Sequence, residues 1–172
     1  MAEPVFVHYV ERLMDDEVTP LLPQPDGIDL ADYKRTLLQR FANPAISDGL
    51  PRLCRRGSAK MPHHLLPSLA EALAAGRPHR LLTLAVAGWF RYLRGTDESG
   101  TPLLVDDPYA EQLQALARAG GTDPRPLLGL RSLFGPLADD DGFVDELQQA
   151  LEQLDRDGVR ASLAAGTAVR LR

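Results

Sequence analysis

Apolar residues recur along this chain at spacings of three and four, the period of an amphipathic helix. They nowhere alternate over more than a few positions as a strand would. Val7, Val10, Leu13 and Met14 mark the face of a first helix, which Pro20, Pro23 and Pro25 bar from continuing. Asp29 suits an N-cap and predicts a second helix with Leu30, Tyr33, Leu37, Leu38 and Phe41 as its apolar stripe, broken at Asn43-Pro44. A third is expected from about Pro44, with Ile46, Leu50 and Leu53 on one face. Gly57-Ser58-Ala59-Lys60 reads as a loop. Pro62 then opens a helix with Leu65, Leu66, Leu69 and Leu73 inward, closed by Gly76 just beyond its C-cap. The most apolar segment runs from His79 to Leu93, carries Trp89, Phe90 and Tyr92, and is expected at the centre of the fold.

The second half follows the same period. A polar connection from Gly95 to Asp106 is interrupted by Leu103-Leu104-Val105. Asp107-Pro108 and Asp123-Pro124 each set a capping carboxylate before a proline suited to a first helical turn. Asp141 to Asp157 is amphipathic on Phe143, Leu147, Leu151 and Leu154, and Val159 to Ala165 predicts a short last helix. The pattern predicts an all-α, multi-helix domain spanning residues 1–172. Parallel strands with glycine-rich strand-to-helix turns are missing from it, so no Rossmann-type nucleotide-binding half is expected within this chain.

Composition narrows the partners. With 44% hydrophobic and 25% charged residues, the 172-residue chain is ordinary for a globular protein, and its net charge of -5 argues against nucleic acid. The longest apolar run, Leu81 to Phe90, falls far short of the roughly 20 residues of a membrane span. Cys54 is the only cysteine, so neither an intrachain disulfide nor a Cys-based zinc site is expected. That usage suits the cytoplasm, and Met1-Ala2-Glu3-Pro4 lacks the basic start and apolar stretch of a signal peptide.

Candidate chemistry concentrates between Arg52 and Pro62. Arg52, Arg55, Arg56 and Lys60 surround a Gly-Ser turn that leads into a helix start. Planar guanidinium forks, a mobile ammonium and a helix N-terminus together suit an oxygen-rich or anionic ligand. A solvated basic loop is the plain alternative. His63-His64 offers no metal pair, because neighbouring helical residues point apart, and no metal site is expected. Asp139-Asp140-Asp141 is expected to cap the helix that follows.

Several segments resemble one family. Tyr9-Val10-Glu11-Arg12-Leu13-Met14-Asp15-Asp16-Glu17-Val18-Thr19-Pro20 is followed by Gly27-Ile28-Asp29-Leu30, by Tyr33 to Leu37 and by Arg40 to Asp48. Gly57-Ser58-Ala59-Lys60-Met61-Pro62 and Trp89-Phe90-Arg91-Tyr92-Leu93 complete the series. In order and spacing, from about Phe6 to Leu163, these are similar to the C-terminal domain of the polyol-specific long-chain dehydrogenases, the mannitol dehydrogenase and fructuronate reductase group. The resemblance implies a helical fold like the C-terminal domain of 6-phosphogluconate dehydrogenase, packed in the family against an NAD(P)-binding Rossmann domain. It implies that Arg52 and Lys60, eight positions apart, touch the oxygens of a polyol or sugar acid. The family's catalytic lysine, with asparagine five residues on and histidine three beyond that, has no match: Gln39 follows Lys34 at that spacing and Leu65 follows Lys60. No catalytic residue is therefore expected in this chain, and neither NAD nor NADP is expected to bind it alone. The expectation is a substrate-binding C-terminal domain or fragment of an NAD-dependent oxidoreductase. The alternative is a non-catalytic helical module that binds a protein partner or an anionic ligand.

Overall fold

Helix α5 (Arg80–Leu93) is the spine of the structure, a computed structural model that describes residues 3–23, 26–43, 45 and 54–168. Leu81, Leu82, Leu84, Val86, Ala87, Phe90 and Leu93 are all buried along it, as its unbroken apolar run requires. Before it lie α1 (Pro4–Arg12), α2 (Leu30–Phe41), α3 (Gly57–His64) and α4 (Leu66–Ala74). After it come α6 (Ala110–Gly120), α7 (Arg125–Leu128), α8 (Arg131–Phe134) and α9 (Asp141–Ala168). The described residues contain no strand, only an isolated antiparallel bridge between Thr96 and Pro102. No helix among them is long and apolar enough to cross a membrane.

Helix α9 lies along α5 and α1 and fills the groove with Phe143, Leu147, Leu151 and Leu154, the stripe its spacing predicts. Gly158, at φ 79° and ψ 169°, kinks α9 where the sequence predicts one helix giving way to another. Asp155 accepts ion pairs from Arg91 at 3.2 Å and Arg94 at 2.7 Å, which ties the C-terminal end of α5 to α9. Caps fall largely where expected. Asp29 accepts from the Ala31 and Asp32 amides, and Asp140 from the Phe143 amide. Gly76, at φ 60°, ends α4 with the paired bonds Gly76 N to Leu73 O and Arg77 N to Ala72 O.

Three features differ from the sequence pattern or go beyond it. The first helix does not run regularly to Pro20: after Arg12 it widens into a π-helical stretch, Leu13–Val18, and then tightens into a 3-10 turn, Thr19–Leu21. The reason is tertiary. Glu17, only 2% exposed, turns inward, and its two carboxylate oxygens accept the Leu81 and Leu82 amides at 2.8 Å each. It thus caps α5, whose own N-cap residue, His79, contributes no side-chain acceptor to the helix. The Tyr9 hydroxyl donates to Leu81 O at 2.7 Å beside it. The second concerns the burial of α2, which its spacing leaves open. Its apolar stripe is present but not buried: none of its residues is buried, and Tyr33 and Phe41 are 57% and 69% exposed. Lys34 links α2 to the π-helical stretch through Asp15 and to the 3-10 turn through Thr19. The third is that Gly57-Ser58-Ala59-Lys60 is the start of a helix rather than a loop. The helix expected from Pro44, with Ile46, Leu50 and Leu53, lies almost wholly outside the described residues.

Candidate functional site

The turn that carries Lys60 is built from contacts distant in sequence. Arg56 adopts left-handed backbone angles, φ 55° and ψ 45°, an unusual state for a residue with a side chain. Its amide donates to Asp106 O at 2.8 Å, and its carbonyl accepts the Ala59 and Lys60 amides at 3.1 Å each. Arg56 is the N-cap residue of α3, yet an arginine side chain holds only donors and makes no capping bond there.

The missing acceptor is Asp107. One of its oxygens accepts the Ser58 amide at 2.8 Å, and the other accepts the Ser58 hydroxyl at 2.7 Å. Asp107 also accepts the Tyr109 amide at 3.0 Å in the turn that leads into α6, whose N-cap is Tyr109, two residues beyond the expected Asp107. One carboxylate therefore organises the starts of two helices. Alongside, Arg55 pairs with Asp106 at 2.7 Å.

Gly57 supplies the close approach beneath. A Cβ there would lie 2.5 Å from the Trp89 indole nitrogen, so only glycine lets the turn settle on the ring. Trp89 in turn packs against Phe90 and Phe134, with ring centres 5.9 and 6.1 Å away. Lys60 projects from this seat at an exposed position of α3. Next to the turn, Leu103, Leu104 and Tyr109 form an exposed apolar rim, and Tyr92, half-buried, donates to Leu104 O at 2.8 Å. Burial also raises the Tyr92 phenol above its usual range.

Of the two cations expected to hold a substrate, Lys60 is described and Arg52 lies outside the described residues. Cys54, His63 and His64 are exposed. Asp139 pairs with Arg131 while Asp140 caps α9, so the acidic triplet serves the fold. Among the described residues no group of three or more His, Cys, Asp or Glu side chains is arranged to hold a metal ion. Those residues also form no parallel strands or glycine-rich strand-to-helix turn, so nothing in them fits a dinucleotide cradle. Sequence reasoning missed the second role of Asp107 and the seat on Trp89. Contacts 49 and 32 positions away leave no periodic signature.

Known proteins resemble this chain in sequence and fold. A family model described as the mannitol dehydrogenase C-terminal domain matches residues 1–155. The chain is 50% identical over 165 residues to a mannitol 2-dehydrogenase of Phaeosphaeria nodorum, and 46% identical over 164 residues to one of Aspergillus terreus. Each match covers 95% of this chain but only 28% and 33% of the relative. Pseudomonas fluorescens mannitol 2-dehydrogenase, solved as a ternary complex with NAD and D-mannitol, superimposes with a TM-score of 0.90 at 37% identity. That match covers 95% of this chain and 33% of that one. A substrate-free D-sorbitol dehydrogenase, 24% identical with a TM-score of 0.79, shares the fold.

Proposed function

The chain belongs to the mannitol dehydrogenase family, whose C-terminal domain it matches, and we propose that it is the substrate-binding part of an NAD-dependent oxidoreductase that acts on a polyol CH–OH group. Residues 1–172 are read as a single substrate domain that works against a Rossmann domain lying outside this chain. The chain spans about a third of the length of its relatives, which supports that division.

The observation that carries the reading is the braced turn at Lys60. Four long-range hydrogen-bonded or packed contacts, to Asp106, Asp107 and Trp89, hold the turn from which Lys60 projects. Such rigidity suits a group that must meet a ligand oxygen at hydrogen-bond distance, and a solvated lysine has no need of it. Lys60 and Arg52 are assigned to the substrate's hydroxyl oxygens, where cationic donors orient the polyol and favour negative charge as it develops on oxygen. The proton-abstracting base and the hydride carrier belong to parts of the full enzyme outside this chain. Arg55 is already paired with Asp106, which supports a neutral polyol, mannitol foremost, over a carboxylate-bearing hexuronate. The cytoplasm is the proposed setting.

The exposed apolar stripe of α2 fits the same reading, as a face that the rest of the enzyme covers. The test is made in a full-length enzyme carrying this domain. Lys60→Ala and Arg52→Ala should each raise KM for mannitol by roughly a hundredfold while leaving NAD binding unchanged. Arg156→Ala, which alters an exposed pair with Asp157, serves as the control. Unaltered mannitol kinetics in both variants would remove the substrate assignment and leave only the family relationship.

A further inference from the structure

We propose that Asp107 is a positioning residue for Lys60: by capping α3 from a segment 49 residues away, it fixes where the lysine side chain leaves the helix. The proposal rests on the reading of Lys60 as a substrate contact and extends it to a residue that acts through the lysine.

Three observations meet here. First, α3 has no cap of its own, so its second amide, Ser58 N, depends on Asp107. Second, the grip has two points, amide and hydroxyl, which fixes the rotation of the first turn as well as its height. Ser58 is 5% exposed, so water competes poorly for either bond. Third, Lys60 lies two residues from Ser58, about 3 Å along the helix axis. An error at Ser58 therefore reaches Lys60 almost undiminished. The Lys60 amide bonded to Arg56 O, with the Arg56 amide held by Asp106 O, closes the loop of constraints on the other side.

Asp107 also serves α6 through the Tyr109 amide, so loss of activity alone would not separate positioning from support of the fold. The chain's two lysines do. Lys34 and Lys60 are the only ones, and reductive dimethylation with a carbon-13 label gives one NMR signal for each. Lys34, bound to Asp15 on α2, is the internal reference. Asp107→Ala, which removes both acceptors, should shift and narrow the Lys60 signal, as the side chain gains freedom, and leave that of Lys34 in place. A folded variant in which the Lys60 signal stays put, or in which both signals change alike, overturns the proposal. Should Asp107→Ala not fold, Ser58→Ala removes the hydroxyl bond alone and is read the same way.

A second arm uses the full-length enzyme. Asp107→Ala should raise KM for mannitol about tenfold with NAD binding unchanged. In a Lys60→Ala background the same substitution should change KM by less than about twofold, because the two act as one unit. Additive effects overturn the positioning role. If Lys60→Ala alone leaves KM unchanged, the substrate reading fails, and the lysine signals still decide whether Asp107 positions the side chain.

Discussion

A methyl group at Gly57 has nowhere to go. Its built position is 2.5 Å from the Trp89 indole nitrogen, and that ring is wedged against Phe90 and Phe134 rather than free to swing. Gly57→Ala should cost about 1–3 kcal/mol through overpacking, read from urea unfolding. Trp89 is the only tryptophan, so its fluorescence should shift with the substitution and report the turn directly. The sequence shows a glycine before a serine and suggests flexibility; the structure uses the glycine for contact, and only the distant ring explains it. Glu17 is a second residue whose role its neighbours in sequence do not reveal. Burial pushes its carboxyl above the usual 4.5, offset in part by the Leu81 and Leu82 amides and by His79. The native state then keeps the proton to higher pH than the unfolded chain does, so this group's stability contribution is full below about 4.5 and falls as pH rises through the raised value. Glu17→Gln cannot titrate. The stability of wild type relative to this variant should therefore decline with rising pH, measured by denaturant unfolding at several pH values. A relative stability that grows with pH would mean that the two amide bonds outweigh burial.

Helix boundaries were legible wherever their causes are local. Asp29, Asp140 and Gly76 end or begin helices through bonds within their own segments, and the sequence places all three correctly. Boundaries set from afar were not legible. Helix α3 begins at Gly57 because Asp107 caps it, and the π-helical stretch exists where Glu17 must reach the α5 amides. Gly158 stands between these cases. The sequence correctly predicts a new helix after it, while the device that starts that helix is again remote: the Glu98 carboxylate accepts the Val159 amide at 2.5 Å. The glycine's own angles, φ 79° and ψ 169°, belong to a region that residues with side chains scarcely enter. An added Cβ would also stand 3.2 Å from a Glu98 oxygen. Gly158→Ala should cost about 1–3 kcal/mol. Glu98→Ala should cost about 1 kcal/mol, the worth of a lost cap. Both should speed amide exchange in Ser162 and Leu163, beyond the kink, more than in Leu147 and Leu151 before it. Equal acceleration on both sides would show that Gly158 stiffens α9 as a whole and does not start a second segment.

The core of the molecule and its surface tell different stories about completeness. The predicted stripes of α5 and α9 meet one another and are sealed, whereas the equally regular stripe of α2 contains no buried residue. Periodicity reveals that a face is apolar; it does not reveal whether the partner lies in the same chain. The spacing of Leu30, Tyr33, Leu37, Leu38 and Phe41 therefore predicts the helix and its apolar stripe and leaves burial open. The residues around Lys60 show the same limit, since family resemblance locates the lysine but not the bonds that brace it. If α2 is a docking face, its apolar side chains should add nothing to the stability of the 172-residue chain while making its surface sticky. Tyr33→Ser combined with Phe41→Ser tests this. Both side chains are more than half exposed, so unfolding of the isolated chain should change by no more than about 0.5 kcal/mol. Binding of a hydrophobic dye such as ANS should fall, because part of the exposed patch is gone. In a full-length enzyme the same pair should instead lower thermal stability, since there the stripe would be covered. A large loss of stability in the isolated chain would place the α2 stripe in the domain's own core and end its role as a face for the rest of the enzyme.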